Sequence, residues 1–462
     1  MHVNNLVWLR DDLRLEDNPA LYYAALQGEI RVVMMASPKQ WQEHNESPAK
    51  TGLRIALFNR VAEQLAQKGI RAEVIEAPTY EDIPNKLANY CQTHHVHAVW
   101  FNEELPINEQ RRDEAVVTTL QRLNIDCHKQ ACDLIVPREV LNQQGLPFKV
   151  FTPFFKRWLS MLGEQNPIPF SAPPEQSEAT LYQAYQPNWL GSYRDDLWPA
   201  DQPSISQRLW QFCHLKEEAY SAHRDIPNEP GTSLLSPYLA LGALGPRECL
   251  FALQYVCEQQ GREWRDSVWL KELAWRDFYR QLMKHFPKLS KGKAFKANTE
   301  ELTWQSDESL LLAWQQGRTG FPIVDAAMRQ LNQTGWMHNR LRMISASFFC
   351  KLMFADWRKG EAYFMQKLID GEFAANNGGW QWSASTGCDA APYFRVFNPT
   401  RQSQTYDKSG DFIRRFVPEL TELDDKAIHQ PSSAQRLACA YPEPIIDYKS
   451  ARQYAIDVFA NL

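Results

Sequence analysis

Residues 31–77 read RVVMMASPKQWQEHNESPAKTGLRIALFNRVAEQLAQKGIRAEVIEA. The opening RVVMMA (31–36) is a short, nearly unbroken apolar run, the pattern of a strand buried on both faces. RIALFNRVAEQLAQKG (54–69) instead spaces its apolar residues by three and four, which predicts an amphipathic helix, with Gly69 where a helix C-terminus belongs. AEVIEA (72–77) reads as a strand again. Strand, helix and strand in so short a stretch predict two parallel strands joined by a crossover helix.

Reading outward, LVWL (6–9), HAVWFN (97–102) and IDCHK (125–129) add three strands, and EQRRDEAVVTTLQRL (109–123) adds a helix. Residues 1–131 are therefore expected to form an α/β domain with a doubly wound parallel sheet. No GxGxxG follows the first strand, and neither GxxxxGK[ST] nor GxSxG occurs, which disfavours the common dinucleotide, phosphate-loop and hydrolase readings. Residues 132–202 contain IVPREV, GLPFKVFTPF, NPIPF and SAPPEQ; so many turn residues predict a long linker. From 203 to 462 the pattern is helical, with loops expected at 225–237, 285–306 and 371–410. The plan is α/β plus all-α: sheet domain, linker, helical domain.

The chain has 462 residues, 44% hydrophobic and 23% charged, the balance of a protein with sizeable cores. No apolar run approaches the roughly 18 residues of a membrane span, and the first residues lack the pattern of a secretory signal. Nine scattered cysteines without a CxxC pair are expected to be reduced thiols of a cytoplasmic protein. Cys127 and Cys132 have no second pair with which to hold zinc, so no metal is expected. The net charge of −5 conceals an asymmetry: residues 260–415 hold 23 Lys/Arg against 16 Asp/Glu, the remainder 27 against 39. A positive segment in an acidic chain fits a polyanion-binding face, and a solvated charged surface fits as well.

The stretch DGEFAANNGGWQWSASTGCDAAPYFRVFNP (370–399) shows neither helical nor strand periodicity and is expected to be a loop. It carries Trp380, Trp382, Tyr393 and Phe394, and its Asn-Asn-Gly-Gly run lets backbone approach a partner closely. Nine of the sixteen tryptophans fall between 264 and 382. Core packing explains any one of them. Their company, Arg276, Arg280, Arg340, Arg342 and Lys351, suggests a basic groove with interleaved rings, suited to single-stranded or flipped nucleotides.

Five segments together carry a resemblance: VWLRDDLRLEDNPAL (7–21), GTSLLSPYLALGALGPRE (231–248), VWLKELAWRDFYRQL (268–282), GRTGFPIVDAAMRQLNQTGWMHNRLRM (317–343), and 370–399 continued through NPTRQ (398–402). In this order they resemble the photolyase/cryptochrome family, in particular its bacterial class I cyclobutane pyrimidine dimer photolyases. The resemblance spans nearly the whole chain. It implies FAD bound in the helical domain by Tyr220, Thr232, Ser233, Leu234, Leu235, Ser236, Trp269, Arg276, Asn339, Asp370, Gly371, Glu372 and Asn376. Hydroxyls at 232, 233 and 236, at a helix start, suit a diphosphate, and they equally suit a plain helix cap. Leu234 stands where some relatives carry Arg, so one phosphate contact is missing. Asp370 and Glu372 fit flavin or ribose donors, or a surface turn. Asn376 matches the residue facing flavin N5, which would place the Asn-Asn-Gly-Gly run along the ring.

The substrate side follows by the same resemblance. Glu272 and Trp275, three apart on a helix, share a face. Trp275 and Trp382 are implied to flank the dimer, Glu272 to hydrogen-bond a pyrimidine carbonyl, and Met343 to touch the lesion. A desolvated Glu272 would have a raised pKa; a surface ion pair with Arg276 fits the same spacing. Arg224, Arg276, Tyr279, Asn339, Arg340 and Gln402 match DNA-contacting positions, alongside Glu272, Trp275 and Trp382. Trp380, Trp357 and Trp304 match the family's electron-transfer chain, although three core tryptophans would look identical in sequence. His44 and Asn45 in QWQEHNESPAK (40–50), Asn108 and Glu109 in INEQRRD (107–113), and Lys291 match contacts to a folate antenna, 5,10-methenyltetrahydrofolate, with a deazaflavin as the runner-up. Glu109 would also suit a helix N-terminus on its own account.

Three activities compete within the family. A (6-4) photolyase uses paired histidines, whereas WMHNRLRM supplies only His338. Blue-light receptors of the cryptochrome type often replace the pocket Glu and extend further; here Glu272 is present and the chain ends at Leu462. The expectation is a monomeric, light-dependent DNA-repair lyase: reduced FAD, excited directly or through the antenna, lends one electron to the cyclobutane dimer and recovers it after the ring opens.

Overall fold

The molecule is described by a computed structural model, which covers residues 4–131, 133–165 and 167–462; Cys132 lies outside the described residues. Five strands form one parallel sheet: β1 (Asn4–Leu9), β2 (Glu29–Ala36), β3 (Ala72–Glu76), β4 (Ala98–Asn102) and β5 (Asp126–Gln130), in the order β3-β2-β1-β4-β5. All five were expected, within about two residues at each end. Leu6, Trp8, Val33, Val99 and Phe101 fill one side of the sheet against Val116 and Leu120. The order reverses between β1 and β4, the position where open α/β sheets present their loops to ligands.

The helix foreseen at 54–69 spans Pro48–Gln67, begun by the Ser47 side chain, which accepts from the Lys50 N–H. Gly69 follows with a φ of +71°, and a Cβ there would lie 2.3 Å from Ser177 Oγ, so glycine is required for both backbone and space. The helix foreseen at 109–123 spans Ile107–Gln121.

Contacts divide the chain into two compact units. The first comprises Met1–Glu217, Ser233–Pro287 and Ile369–Gly371; the second comprises Glu218–Thr232, Lys288–Leu368 and Glu372–Leu462. In the first unit, two helices pack with the sheet's loops, Pro246–Gln259 and Val268–His285. A buried charge network binds them. Arg247 Nε donates to Asp17 Oδ1, Arg14 Nη2 donates to Asp133 Oδ1 at 2.8 Å, and Arg276 Nη2 donates to Asp133 Oδ2 at 2.7 Å.

The expected linker is not structureless. Phe151–Gln165 is a helix whose Phe151, Phe154 and Phe155 form one aromatic face with Trp158. Turn residues flanking 151–165 masked the i, i+3, i+4, i+7 spacing of these rings. Trp158 Nε1 donates to Asp277 Oδ2 at 2.9 Å, tying this helix to Val268–His285.

In the second unit, Trp314, Met328, Leu331, Phe348, Phe349, Trp357, Phe364 and Trp380 form part of a helical core. The stretch expected as a loop over 371–410 contains two helices, Phe373–Ala384 and Pro399–Tyr406. Two glycines and two asparagines argue locally against a helix, but tertiary packing supplies what propensity lacks. Glu372 accepts the Ala375 N–H as a cap at 2.8 Å, and Trp380 seats its ring against Gly360, where a Cβ would come within 2.2 Å of it.

Candidate active site

The first unit holds the Val268–His285 helix, capped by Ser267 Oγ, which accepts from the Leu270 N–H at 3.1 Å. This helix carries Trp269, Glu272, Trp275, Arg276 and Tyr279. Trp275 is half-buried and lies flat on Phe151, with ring centroids 3.7 Å apart and planes 7° apart. Phe278 meets it edge-on at 5.5 Å. One indole face is thus backed by protein and the ring is held still. Arg276 gives two N–H groups to Asp133, to its carbonyl and its carboxylate, both at 2.7 Å. Burial would raise the Asp133 carboxyl, but Arg14 and Arg276 overcome it and hold the group well below the usual carboxylate range.

The flavin-matched segment in this unit begins at Ser233. Leu234 has a φ of +54°, a region leucine rarely visits, so its surroundings must impose it; Arg208 Nη1 donates to its carbonyl at 3.3 Å. Ser236 opens a short helix, Ser236–Ala240, as the hydroxyl pattern suggested. Leu235 and Trp269 are buried, Trp269 edge-on to Phe212 at 4.9 Å. Asp370 and Gly371 belong to this unit and are buried.

The second unit holds Tyr220, Arg224, Thr232, Asn339, Arg340, Met343, Glu372, Asn376, Trp382 and Gln402. Asn339 is exposed and opens the helix Asn339–Ser347, for which the buried His338 is the cap: its Nδ1 accepts from the Arg340 N–H at 3.2 Å. Burial lowers His338 to about 4, so it is neutral at physiological pH. Arg340 pairs with Asp225 at 2.7 Å and lies 4.4 Å over the Tyr406 ring; Arg224 lies 5.3 Å over Tyr220. Two of the matched DNA residues of this unit, Arg224 and Arg340, are therefore cations braced on rings.

Asn376 is half-buried on the Phe373–Ala384 helix, and its Nδ2 donates to the Glu361 carbonyl at 3.0 Å. Its neighbour Asn377 donates to the Glu361 carboxyl at 2.8 Å and accepts from Gln381 Nε2 at 3.0 Å, while Gln381 Oε1 accepts from the Phe295 N–H at 2.8 Å. Burial pushes Glu361 up to about 7, against the Asn377 hydrogen bond. Its folded pKa lies above the ordinary 4.5, so over that interval the unfolded chain loses a proton that the folded chain keeps. Stability should therefore fall as pH rises from about 4.5 to about 7 and be insensitive to this group outside that window. Glu361→Gln is expected to flatten that part of the profile, read as melting temperature at pH 5 and pH 8. An unchanged slope would contradict the assignment.

Two observations on this helix test its fit to a flavin. One N–H of the Asn376 amide goes to the Glu361 carbonyl, which leaves its second N–H and its Oδ1 for a ligand group such as flavin N5. Trp380 is 2% exposed and its Nε1 has no partner among the described residues, an unused buried donor. The residues present suit a planar, polar ring.

Of the matched electron-transfer residues, Trp357 and Trp380 are buried and Trp304 is half-buried, packed on Phe354 at 5.0 Å and Phe459 at 6.4 Å. Lys351 departs from expectation. It is 1% exposed and lines no groove.

The antenna residues of the first unit converge. His44 Nε2 lies 3.1 Å from Asn108 Nδ2 and from Gln40 Nε2, and His44 Nδ1 lies 3.4 Å from Glu109 Oε1. Asn45 follows with a left-handed φ of +57°. Tyr80 donates to Glu109 at 3.2 Å and is covered by the Arg112 guanidinium at 4.7 Å. Burial, reinforced by Glu104, raises the Glu109 carboxyl. Lys291 is exposed and belongs to the second unit.

Two family models match the chain: DNA photolyase over residues 5–175, and the FAD binding domain of DNA photolyase over 269–461. Over 97% of its length the chain is 42% identical to the deoxyribodipyrimidine photo-lyase of Salmonella typhimurium and 43% identical to that of Escherichia coli, covering 96% of each. The chain belongs to the DNA photolyase family. Among solved structures, a class III photolyase from Agrobacterium tumefaciens superposes with a TM-score of 0.88 at 32% identity, covering the whole of this chain and 98% of that one. Fold and membership agree with the motifs read from sequence.

Residues the motifs did not reveal are those that hold others in place. Phe151 backs Trp275, Asp133 holds Arg276, Glu361 orients Asn376, and Tyr80 with Gln40 completes the cluster around Glu109. Only Phe151 left a readable signal, the ring spacing of 151–158.

Proposed function

We propose that this photolyase-family chain splits cyclobutane pyrimidine dimers in DNA under light, with FAD as its bound cofactor. The full-length likeness to bacterial deoxyribodipyrimidine photo-lyases carries the proposal. FAD, when bound and reduced, supplies the light-driven electron; the protein binds, orients and shields. Trp275, backed by Phe151, offers one flat face to a base, and Glu272 on the same helix offers a carboxyl to a pyrimidine carbonyl. By the family resemblance, Trp382, Met343, Arg224, Arg340 and Gln402 are further proposed contacts to the lesion and the DNA. A pyrimidine dimer stacks and pairs poorly, which lowers the cost of extruding it from the duplex. The working parts divide as an antenna domain over 1–131, a linker over 132–202, and a flavin- and DNA-binding domain over 203–462. The decisive experiment incubates the purified, reduced holoprotein with a thymine-dimer oligonucleotide in light and in darkness. Repair in light alone is expected; repair in darkness, or none with FAD bound and reduced, would overturn the reading.

Trp304, Trp357 and Trp380 serve to refill the flavin with electrons from solution. Trp304→Phe is expected to slow photoreduction by at least about tenfold, since phenylalanine is far harder to oxidise; stopped photolysis with an external reductant measures it. An unaltered rate would remove Trp304 from the chain.

For the antenna, a folate fits the polar, carboxylate-bearing cluster of His44, Asn45, Asn108 and Glu109. Glu109 would accept the donor edge of a pterin, and its raised pKa follows from the burial such a pocket requires. Glu109→Gln is expected to lower folate loading about tenfold, read as the near-ultraviolet absorbance of the reconstituted protein, with FAD content unchanged. Retention of the chromophore at wild-type stoichiometry would argue against the folate site, and a deazaflavin spectrum would replace the folate.

A further inference from the structure

Lys351 is buried in the π-helical turn Phe348–Leu352 and has an unusual set of neighbours. Its Nζ donates to Ser385 Oγ at 2.8 Å and stands 3.7 Å from the centre of the Phe459 ring. The charged or titratable groups acting on it are Cys350 and Lys296, with no carboxylate among them in the described residues. Burial pushes the amine down to about 7, so near neutral pH it is held partly uncharged, and an apolar chain of the same length would pack there without the cost of burying a polar end. That polar end, bonded to Ser385, therefore needs a task.

Both contacts lead to the same segment. Ser385, at the end of the Phe373–Ala384 helix, holds a left-handed φ of +63°, and its Oγ donates to the Ala391 carbonyl at 2.7 Å. Phe459 lies nearly parallel to Tyr393, with planes 11° apart at 6.2 Å. Lys296 closes the arrangement from another side, Nζ to the Ser385 carbonyl at 3.2 Å and N–H to the Thr386 carbonyl at 2.9 Å. Beyond these anchors the chain turns outward: Tyr393 is 37% exposed, Phe394 is 60% exposed, and Arg395 is exposed. Exposed rings beside an arginine are the chemistry that meets nucleic acid.

We propose that Lys351 is a positioning residue for DNA binding, whose buried amine, bonded to Ser385 and set over Phe459, pins the 385–391 turn and, through Phe459, Tyr393, so that the Tyr393–Phe394–Arg395 tip meets damaged DNA already shaped. The inference rests on the reading of the chain as a DNA-repair lyase. A preformed tip loses less conformational freedom on binding, so the gain appears in affinity and not in chemistry.

The test uses the full-length, FAD-loaded protein and a fluorescent thymine-dimer duplex. Lys351→Met is expected to weaken binding about tenfold, while FAD content and the repair rate at saturating DNA stay within about twofold of wild type. Ser385→Ala, which removes the acceptor, should reproduce the loss; if Lys351→Met does not fold, Ser385→Ala decides alone. Phe394→Ala should weaken binding in the wild type but add little in Lys351→Met, because the tip is then no longer held. Wild-type affinity in Lys351→Met, or in Ser385→Ala where it decides alone, additive losses with Phe394→Ala, or a parallel fall in FAD content and saturated repair rate would each overturn the inference. Failure of the wild type to bind or repair the dimer would instead count against the function itself.

Discussion

Trp275→Ala is expected to weaken binding of dimer-containing DNA by about ten- to a hundredfold, the worth of one lost base–indole stack. The indole lies on Phe151 at 3.7 Å, so its orientation is set before any lesion arrives. Truncation removes the stacking surface and also the rigidity that spares ordering on binding. Trp275→Phe should retain most of the affinity, because a flat ring remains over Phe151. Phe151→Ala should lose about two- to tenfold, consistent with one aromatic pair. Fluorescence anisotropy separates these levels, and undamaged duplex of the same sequence should show little change throughout. Wild-type affinity in Trp275→Ala would place the lesion elsewhere.

Arg247→Ala should destabilise the first unit by about 3–5 kcal/mol, the usual consequence of stripping one partner from a buried ion pair. Asp17 is 0% exposed, and its carboxylate receives the Arg247 guanidinium, which also donates to the Leu134 carbonyl at 3.2 Å. Without Arg247 the carboxylate keeps, among the described residues, only Arg14 as an ion-pair partner, at 3.9 Å. Urea unfolding followed by tryptophan fluorescence should show a lower midpoint. The double variant Asp17→Asn with Arg247→Met should recover part of the loss, since it leaves no lone buried charge. An unchanged midpoint in Arg247→Ala would mean that the pair contributes nothing to the docking of Pro246–Gln259 on the first loop.

Much of the architecture was legible because it rests on local patterns. The strands at 6–9 and 31–36 announced themselves as apolar runs, since a parallel sheet buries both faces. The helix at 54–69 did so through its spacing and terminal Gly69. The helix at 373–384 was not legible. Its glycines and asparagines deny it intrinsic helicity, and it stands because Glu372 caps it and Gly360 admits Trp380. Lys351 was misread for a related reason: a lysine among arginines looks like surface until the fold closes over it.

Motifs in order determined the family, the sheet and the residue types available to a flavin and a damaged base, because these depend on chain-local chemistry and on which side chains exist at all. Only the folded chain decided that Phe151 supports Trp275, that Asp133 takes Arg276, and that Asn376 turns its amide N–H toward Glu361. The partners are separated by 124, 143 and 15 residues respectively, by their numbering, and no local preference encodes such meetings. They arise when burial forces each polar group to find a partner and each ring a neighbour, wherever along the chain these lie.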